Sequence, residues 1–290
     1  MSETRERDDI SGTETTGHSW DGIKELNTPL PRWWLWIFYA TIVFSLGYVI
    51  AYPAIPLINS ATTGVLGWSS RAELTQEVDE ARAAQKTFLD QIEQIDVTDI
   101  QSDPTLTQFA VAGGSSAYKV YCVQCHGSGA AGGPGYPNLN DDDWIWGGSV
   151  EDIYITLLHG IRWEVNDETR ISEMPAFGRD GLLSREEIAD VSHYVLSMSG
   201  QEADAEAALR GMPLYDEQCA ACHGVEGEGV RELGGPRLSD AIWLYGGSYG
   251  EVVAQISNPQ QGVMPSWGER LGDLTVKQLA VYIHSLGGGE

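Results

Sequence analysis

The chain opens polar and charged, turns abruptly apolar, and then settles into helical stripes separated by glycine-rich loops. From Trp33 to Ala51 there are 19 residues without a charge. A helix rises about 1.5 Å per residue and the hydrocarbon core of a bilayer is about 30 Å thick, so a run of about this length spans it. Trp33, Trp34 and Trp36 stand at one end, with Tyr48 and Tyr52 near the other, matching two interfacial belts. Pro53 and Pro56 then stop the helix. A soluble core helix would not be apolar on every face. A cleaved leader would have a shorter apolar run and fewer than the 32 residues that precede this one. The pattern predicts an uncleaved anchor over residues 33–52. Lys24 and Arg32 before it, with Arg71 the first base after it, give a weak bias for an inner N-terminus.

Residues 1–19 read as a disordered tail. Residues 20–32 carry Asn27, Pro29 and Pro31 and lead into the membrane, so 1–32 form one tail and membrane-proximal segment. Beyond the anchor, residues 53–104 read as a linker that contains an amphipathic helix at 70–95. Ser70 with Glu73 fits a capping box, and Leu74, Val78, Ala81, Phe88, Ile92 and Ile95 share one stripe. Packing on its own domain and docking on a partner subunit both remain open for this helix.

The remainder is a repeat with a period of about 97 residues. Tyr118 and Cys122 answer Tyr215 and Cys219. Pro137-Asn138-Leu139 answers Pro236-Arg237-Leu238. Trp144-Ile145-Trp146-Gly147-Gly148-Ser149 answers Trp243-Leu244-Tyr245-Gly246-Gly247-Ser248, and Met174-Pro175 answers Met264-Pro265. The first copy is about nine residues longer before its Met-Pro. Ser184 with Glu187, and Thr275 with Gln278, fit capping boxes for a closing helix in each copy. The expected architecture is mostly α: a single N-terminal transmembrane helix, then two helical domains at 105–200 and 201–290.

All four cysteines fall in two Cys-x-x-Cys-His motifs: Cys122, Cys125, His126 and Cys219, Cys222, His223. This is the signature of covalent c-type haem attachment. Two thiols three positions apart on a helical turn reach the two vinyl groups of one porphyrin, and the next residue places an imidazole under the iron. A zinc site built from both pairs would need them closer in sequence, and a thioredoxin-like pair would need a βαβ context. Two covalently bound haems c are expected. Pro137 and Pro236 are placed to present a carbonyl to each proximal imidazole, with Leu139 and Leu238 supporting the haem pocket. The glycines at 127–135 and 224–235 let the backbone pass close to the porphyrin edge.

Each iron also needs a sixth ligand or an open position. Met174 and Met264 begin matching Met-Pro loops, and a thioether closes the iron and favours the ferrous state. Which methionine serves which haem stays open, and exchange between the domains is possible. His159 and His193 are rival ligands for the first copy, but neither has an equivalent in the second. Met198 and Met212 lack matching counterparts.

Composition changes the picture once. The net charge of −25 disfavours a nucleic-acid partner, which needs a basic patch. The same charge would steer a basic soluble partner, or would serve simply as a solvated surface.

At Tyr118–Met198 and Tyr215–Leu286 the chain resembles class I cytochrome c domains. The stretch Asp21-Gly22-Ile23-Lys24-Glu25, Asn27, Pro29, Pro31-Arg32-Trp33-Trp34-Leu35-Trp36 and Phe38-Tyr39-Ala40-Thr41 resembles the anchor of the dihaem subunit (CcoP or FixP) of cbb3-type cytochrome c oxidase. That resemblance implies a single-pass protein of the bacterial inner membrane, with a cytoplasmic N-terminus and periplasmic haem domains. It implies electrons passing from a soluble or membrane-bound donor cytochrome c through both haems to a monohaem subunit. They would end at the oxygen-reducing haem–copper subunit of a proton-pumping complex. The expected partners are thus those two subunits, the donor and membrane lipid, with no catalytic centre in this chain. A free-standing tethered shuttle and a dihaem peroxidase are the competing readings.

Overall fold

In a computed structural model the described residues are 6–289, and they divide into two units, residues 1–84 and residues 85–290.

The first unit begins with an antiparallel hairpin, β1 (Thr15–Trp20) and β2 (Ile23–Leu26). Trp20 pairs with Ile23 across Asp21 and Gly22, whose φ values of 50° and 85° are both positive. A two-residue Asp-Gly turn of this hand matches strand twist and is a strong hairpin signal. The expected disordered tail at 1–19 is thereby corrected over its later residues, while residues 1–5 of it lie outside the described residues. Helix α1 (Arg32–Ala51) has no buried residue, and its apolar side chains point to every side. The Thr41 hydroxyl donates to Phe38 O at 2.7 Å and that of Ser45 to Thr41 O at 2.8 Å, so both polar groups are satisfied inside the helix. It is the one helix among the described residues long and apolar enough to cross a membrane.

Helix α2 (Ser70–Gln94) starts one residue away from the expected box. Ser69 is the capping side chain, accepting from the amide of Ala72, while Glu73 accepts from the Trp68 indole at 2.6 Å. Only the C-terminal end of the stripe is covered. Ile92 is buried and Phe88 stacks on Phe109, whereas Leu74 is 60% exposed.

In the second unit a 3-10 turn (Val97–Ser102) leads to α3 (Pro104–Tyr121), which runs into the one-turn α4 (Val123–His126). Then come α5 (Val150–His159), α6 (Arg185–Met198), α7 (Ala205–Gln218) and the one-turn α8 (Ala220–His223). The chain closes with α9 (Tyr249–Ser257), α10 (Gly268–Leu271) and α11 (Asp273–His284).

Two hydrophobic cores form, and they do not follow the sequence repeats. One joins Tyr118 and Ala110 of α3 and Leu157 of α5 to Leu279, Ala280 and Ile283 of α11. The other joins Val191 and Val195 of α6 to Tyr215 of α7 and Val252 and Ile256 of α9. The closing helix of the first repeat therefore packs on the second, and that of the second on the first. The boundary at 200/201 separates the repeats in sequence but not in space. Only the six residues 199–204 join α6 to α7, and so short a connection lays the two helices side by side. Gly211 allows the close approach: a Cβ there would meet the backbone of Asp190 and Val191.

The cap at Ser184 forms as expected, with Glu187 and Ser184 exchanging both bonds. The expected box at Thr275 and Gln278 does not, because α11 starts earlier, at Asp273, behind Gly272. Gln278 is buried instead, against Gly113. Next to it, the nearly buried Lys277 donates to the C-terminal carbonyls of α2, at 2.8 Å to Ile95 O and 3.3 Å to Glu93 O. A cation at a helix C-terminus satisfies orphan carbonyls and complements the helix dipole. Replacing Lys277 by Met leaves those carbonyls without a donor. We expect a loss of about 1–3 kcal/mol in chemical denaturation, with faster proteolysis near residues 85–96.

Candidate haem sites and the interface between them

The two Cys-x-x-Cys-His segments are built alike. At the end of α3, Cys122 donates its amide to Tyr118 O, and the amide of His126 returns to Cys122 O at 2.9 Å, winding the turn α4. Gly127, at φ 78°, ends it. The Tyr118 hydroxyl donates to Gly127 O at 2.8 Å. In the second copy Tyr215 donates to Gly224 O at 2.7 Å, with Gly224 at φ 81°. Each buried tyrosine thus pins the glycine that turns the chain away after the histidine.

Both histidines are fixed through Nδ1. The Nδ1–H of His126 donates to Pro137 O at 3.0 Å, and that of His223 to Pro236 O at 2.9 Å. This leaves each Nε2 free with its lone pair, the tautomer that an iron requires. Burial holds both imidazoles below their ordinary pKa, against the pull of the proline carbonyls, so they are neutral at pH 7. All four cysteines are free, and burial, with a smaller effect of the neighbouring Cys125 and Cys222, pushes the Cys122 and Cys219 thiols up to about 11. Leu139 is buried beside Ala130, and Leu238 is half-buried in the second core. Free thiols, a neutral imidazole with an open Nε2 and a soft thioether near each core form a donor set that fits haem c.

The methionines fall on opposite cores from the motifs that precede them in sequence. Met264 packs against the first core, which contains Tyr118, Cys122 and Leu157, and Met174 packs against the second, which contains Tyr215 and Val252 and is also flanked by Cys219. Their loops dock accordingly. The amide of Trp267 donates to Leu157 O at 2.9 Å, at the end of α5, and the amides of Gly178 and Arg179 reach Ser257 O, at the end of α9. Of the rival histidines, His193 is engaged by hydrogen bonding, whereas the buried Nδ1 of His159 has no hydrogen-bond partner. His193 accepts from the amide of Asp204 at 3.2 Å and stacks on Tyr249, and His159 lies 3.4 Å from Glu168. Met198 fills space beside Gly227.

The two copies meet reciprocally. Trp146 of the first lies directly over Gly234 of the second, where no side chain would fit. Tyr245 of the second, its equivalent, lies over Gly135 of the first, and the amide of Gly135 donates to Leu244 O at 2.8 Å. Arg170 braces Trp146, donating to its carbonyl at 2.8 Å with the guanidinium 5.4 Å from the ring centre. Sequence reasoning missed this interlock. The matched Trp-x-Trp-Gly-Gly and Trp-x-Tyr-Gly-Gly pieces were its signal, read only as evidence of repetition.

Family profiles match along most of the chain: the N-terminal domain of cytochrome oxidase-cbb3, FixP, at 12–59, cytochrome c at 111–199, and cytochrome C oxidase, cbb3-type, subunit III, at 206–283. A cbb3-type cytochrome c oxidase subunit FixP of Sinorhizobium medicae is 53% identical over 283 residues, 98% of this chain and 97% of the relative. The chain belongs to the FixP/CcoP family. The CcoP subunits of Cereibacter sphaeroides and Azospirillum brasilense are 51% and 49% identical, covering 95% and 99% of this chain and the same shares of those relatives. A FixP/CcoP chain with two cytochrome c domains is an electron-transfer subunit of an oxidase complex, and the haem expected in such domains agrees with the donor set described above.

The interface between the copies also holds a pH-sensitive group. Burial, then the nearby carboxylates Asp240 and Asp141, raises Asp143 to about 6 in spite of Arg237 and Arg231. A carboxyl raised in the folded state binds its proton more tightly there than in the unfolded chain. Its ionised form therefore destabilises the fold above pH 6, and this penalty fades as pH falls from 6 towards 4. Asp143→Asn should raise the thermal midpoint at pH 7–8 and lose that advantage near pH 4, which a pH series of melting curves will show.

Proposed function

We propose that this chain is the dihaem electron-transfer subunit of its oxidase. Cys122, Cys125, His126 and Met264 would hold one haem c, and Cys219, Cys222, His223 and Met174 a second. The carrying observation is the exchange of the methionine loops, which sets a thioether against each Cys-x-x-Cys-His core. Haem c supplies a one-electron ferric/ferrous couple, and His/Met ligation suits electron transfer rather than oxygen chemistry. The residues of this chain then have separable tasks. The cysteines tether the porphyrin, the proline carbonyls hold the imidazoles in one tautomer, and the methionines close the second side of each site. Trp146 and Tyr245 join the two copies beside the sites.

In this reading electrons arrive from a donor cytochrome c and leave for the monohaem subunit. Oxygen is reduced on the haem–copper subunit, and this chain has no catalytic centre of its own. Helix α1 crosses the inner membrane once, with the N-terminus cytoplasmic and residues 53–290 periplasmic. The long apolar helix and the location of c-type haem attachment outside the cytoplasm support this topology. The net charge of −25 favours a basic donor.

Two experiments test it. The Cys122→Ala/Cys125→Ala oxidase should lose turnover with its donor cytochrome c while the complex still assembles; turnover at the normal rate would sink the relay. In that same one-haem background, Met174→Ala should abolish the thioether-to-iron absorption band of the remaining haem and Met264→Ala should leave it intact. The opposite result would restore pairing within each repeat.

A further inference from the structure

One side chain touches both methionine loops. Arg162 lies in the segment by which the first copy is longer, just after α5. Its Nε donates to Gly262 O at 2.7 Å and its Nη1 to Ser172 O at 2.9 Å. Gly262 stands two residues before Met264, and Ser172 two residues before Met174. The two carbonyls are therefore equivalent positions of the repeat, held by the two arms of one planar fork. A guanidinium is preorganised for such two-point contacts, whereas an ammonium is a single point donor.

The surroundings bind the same three strands together. Ile161 and Met264 exchange both backbone bonds, at 2.9 and 3.0 Å, and the Gln261 side chain donates to Met174 O at 3.1 Å. The amide of Arg162 is itself tied to Arg170 O at 2.9 Å. Gly160 packs flush on the backbone of Met264 and Pro265, leaving no room for a side chain. Arg162 adopts φ 51°, a left-handed conformation uncommon for a residue with a side chain. Such a cost persists only where the surroundings over-determine it, and it clusters at functional sites. A glycine would take this backbone without strain, so the side chain is what the position requires.

We propose that Arg162 is a positioning residue shared by both haem sites, a single clamp that sets the two methionine loops together. This rests on the assignment of Met174 and Met264 as axial ligands. With the clamp in place, both methionine loops are held in one arrangement. Without it, both loops loosen at once, because no second guanidinium bridges them at the equivalent place in the second copy, where Gln260 and Gln261 stand after Pro259.

The test uses the full-length holoprotein in mild detergent, with Arg162→Gly and Arg162→Lys beside the parent. The readouts are the thioether-to-ferric-iron band, the reduction potentials of both haems, and displacement of methionine by added imidazole. Arg162→Gly removes the fork while easing the backbone, so it keeps the fold accessible. It should weaken the band and lower the potential at both haems, with imidazole binding about tenfold tighter at each, the scale of one lost charge-assisted bond. Arg162→Lys keeps the charge but holds one carbonyl, and should rescue one site at most. Parent-like imidazole binding in Arg162→Gly, or a change at one haem alone, overturns the shared clamp. Full rescue of both sites by Lys would show that charge, not two-point positioning, is what matters, and also overturns it. If the separate variants Met174→Ala and Met264→Ala leave the band of the parent unchanged, the ligand assignment fails first, and the clamp with it.

Discussion

Six residues link α6 to α7, and the packing of residues 85–290 follows from how little chain that is. A closing helix needs an apolar partner. The nearest one for α6 is the helix that begins right after it, and Gly211 lets the two backbones come close. Once α6 has covered α7, the matching face of α3 is left open, and α11 is the remaining helix with a complementary stripe. The exchange is thus complete in both directions. Each methionine loop is carried along by the helix that follows it, so loop and helix arrive at the same foreign core.

This arrangement binds the two sites into one object. In independent domains each haem pocket would open and close alone. Here each core is completed by a segment from the other repeat, and Trp146, Tyr245 and Arg162 cross between them. Each core therefore depends on a segment of the other repeat. The end of α2 belongs to the same body, since Phe88 and Ile92 complete the first core and Lys277 caps the helix. Its earlier apolar positions, Leu74 and Val78, stay exposed.

Much was legible in the chain itself. The apolar run at 33–51, the two Cys-x-x-Cys-His motifs, the repeat, and the proline carbonyls on the imidazoles rest on local covalent spacing or on a pattern of a few residues. Local physics decides such features wherever the segment ends up. The same holds for the Ser184–Glu187 cap. The hairpin at 15–26 is equally local, signalled by Asp21-Gly22 between Trp20 and Ile23. The box expected at Thr275 fits the helical pattern, yet Lys277 and Gln278 were drawn inward by α2 and α3, and the helix begins earlier.

Which core each methionine packs against was not legible. The two Met-Pro loops are nearly the same in sequence, and Met174 stands 48 residues after His126 and 49 before His223, so spacing does not choose its partner. The choice belongs to the helices behind the loops: it is made by the shortness of 199–204 and by the depth to which Gly114 and Gly211 admit a neighbouring helix. Arg162 is invisible for the same reason. Nothing in its own neighbourhood marks it, because the carbonyls it holds are 10 and 100 residues away and meet only after the closing helices have crossed. Residue chemistry and spacing pointed to the cofactor and its tethers; long-range packing decided how two copies of one motif became a single interlocked pair.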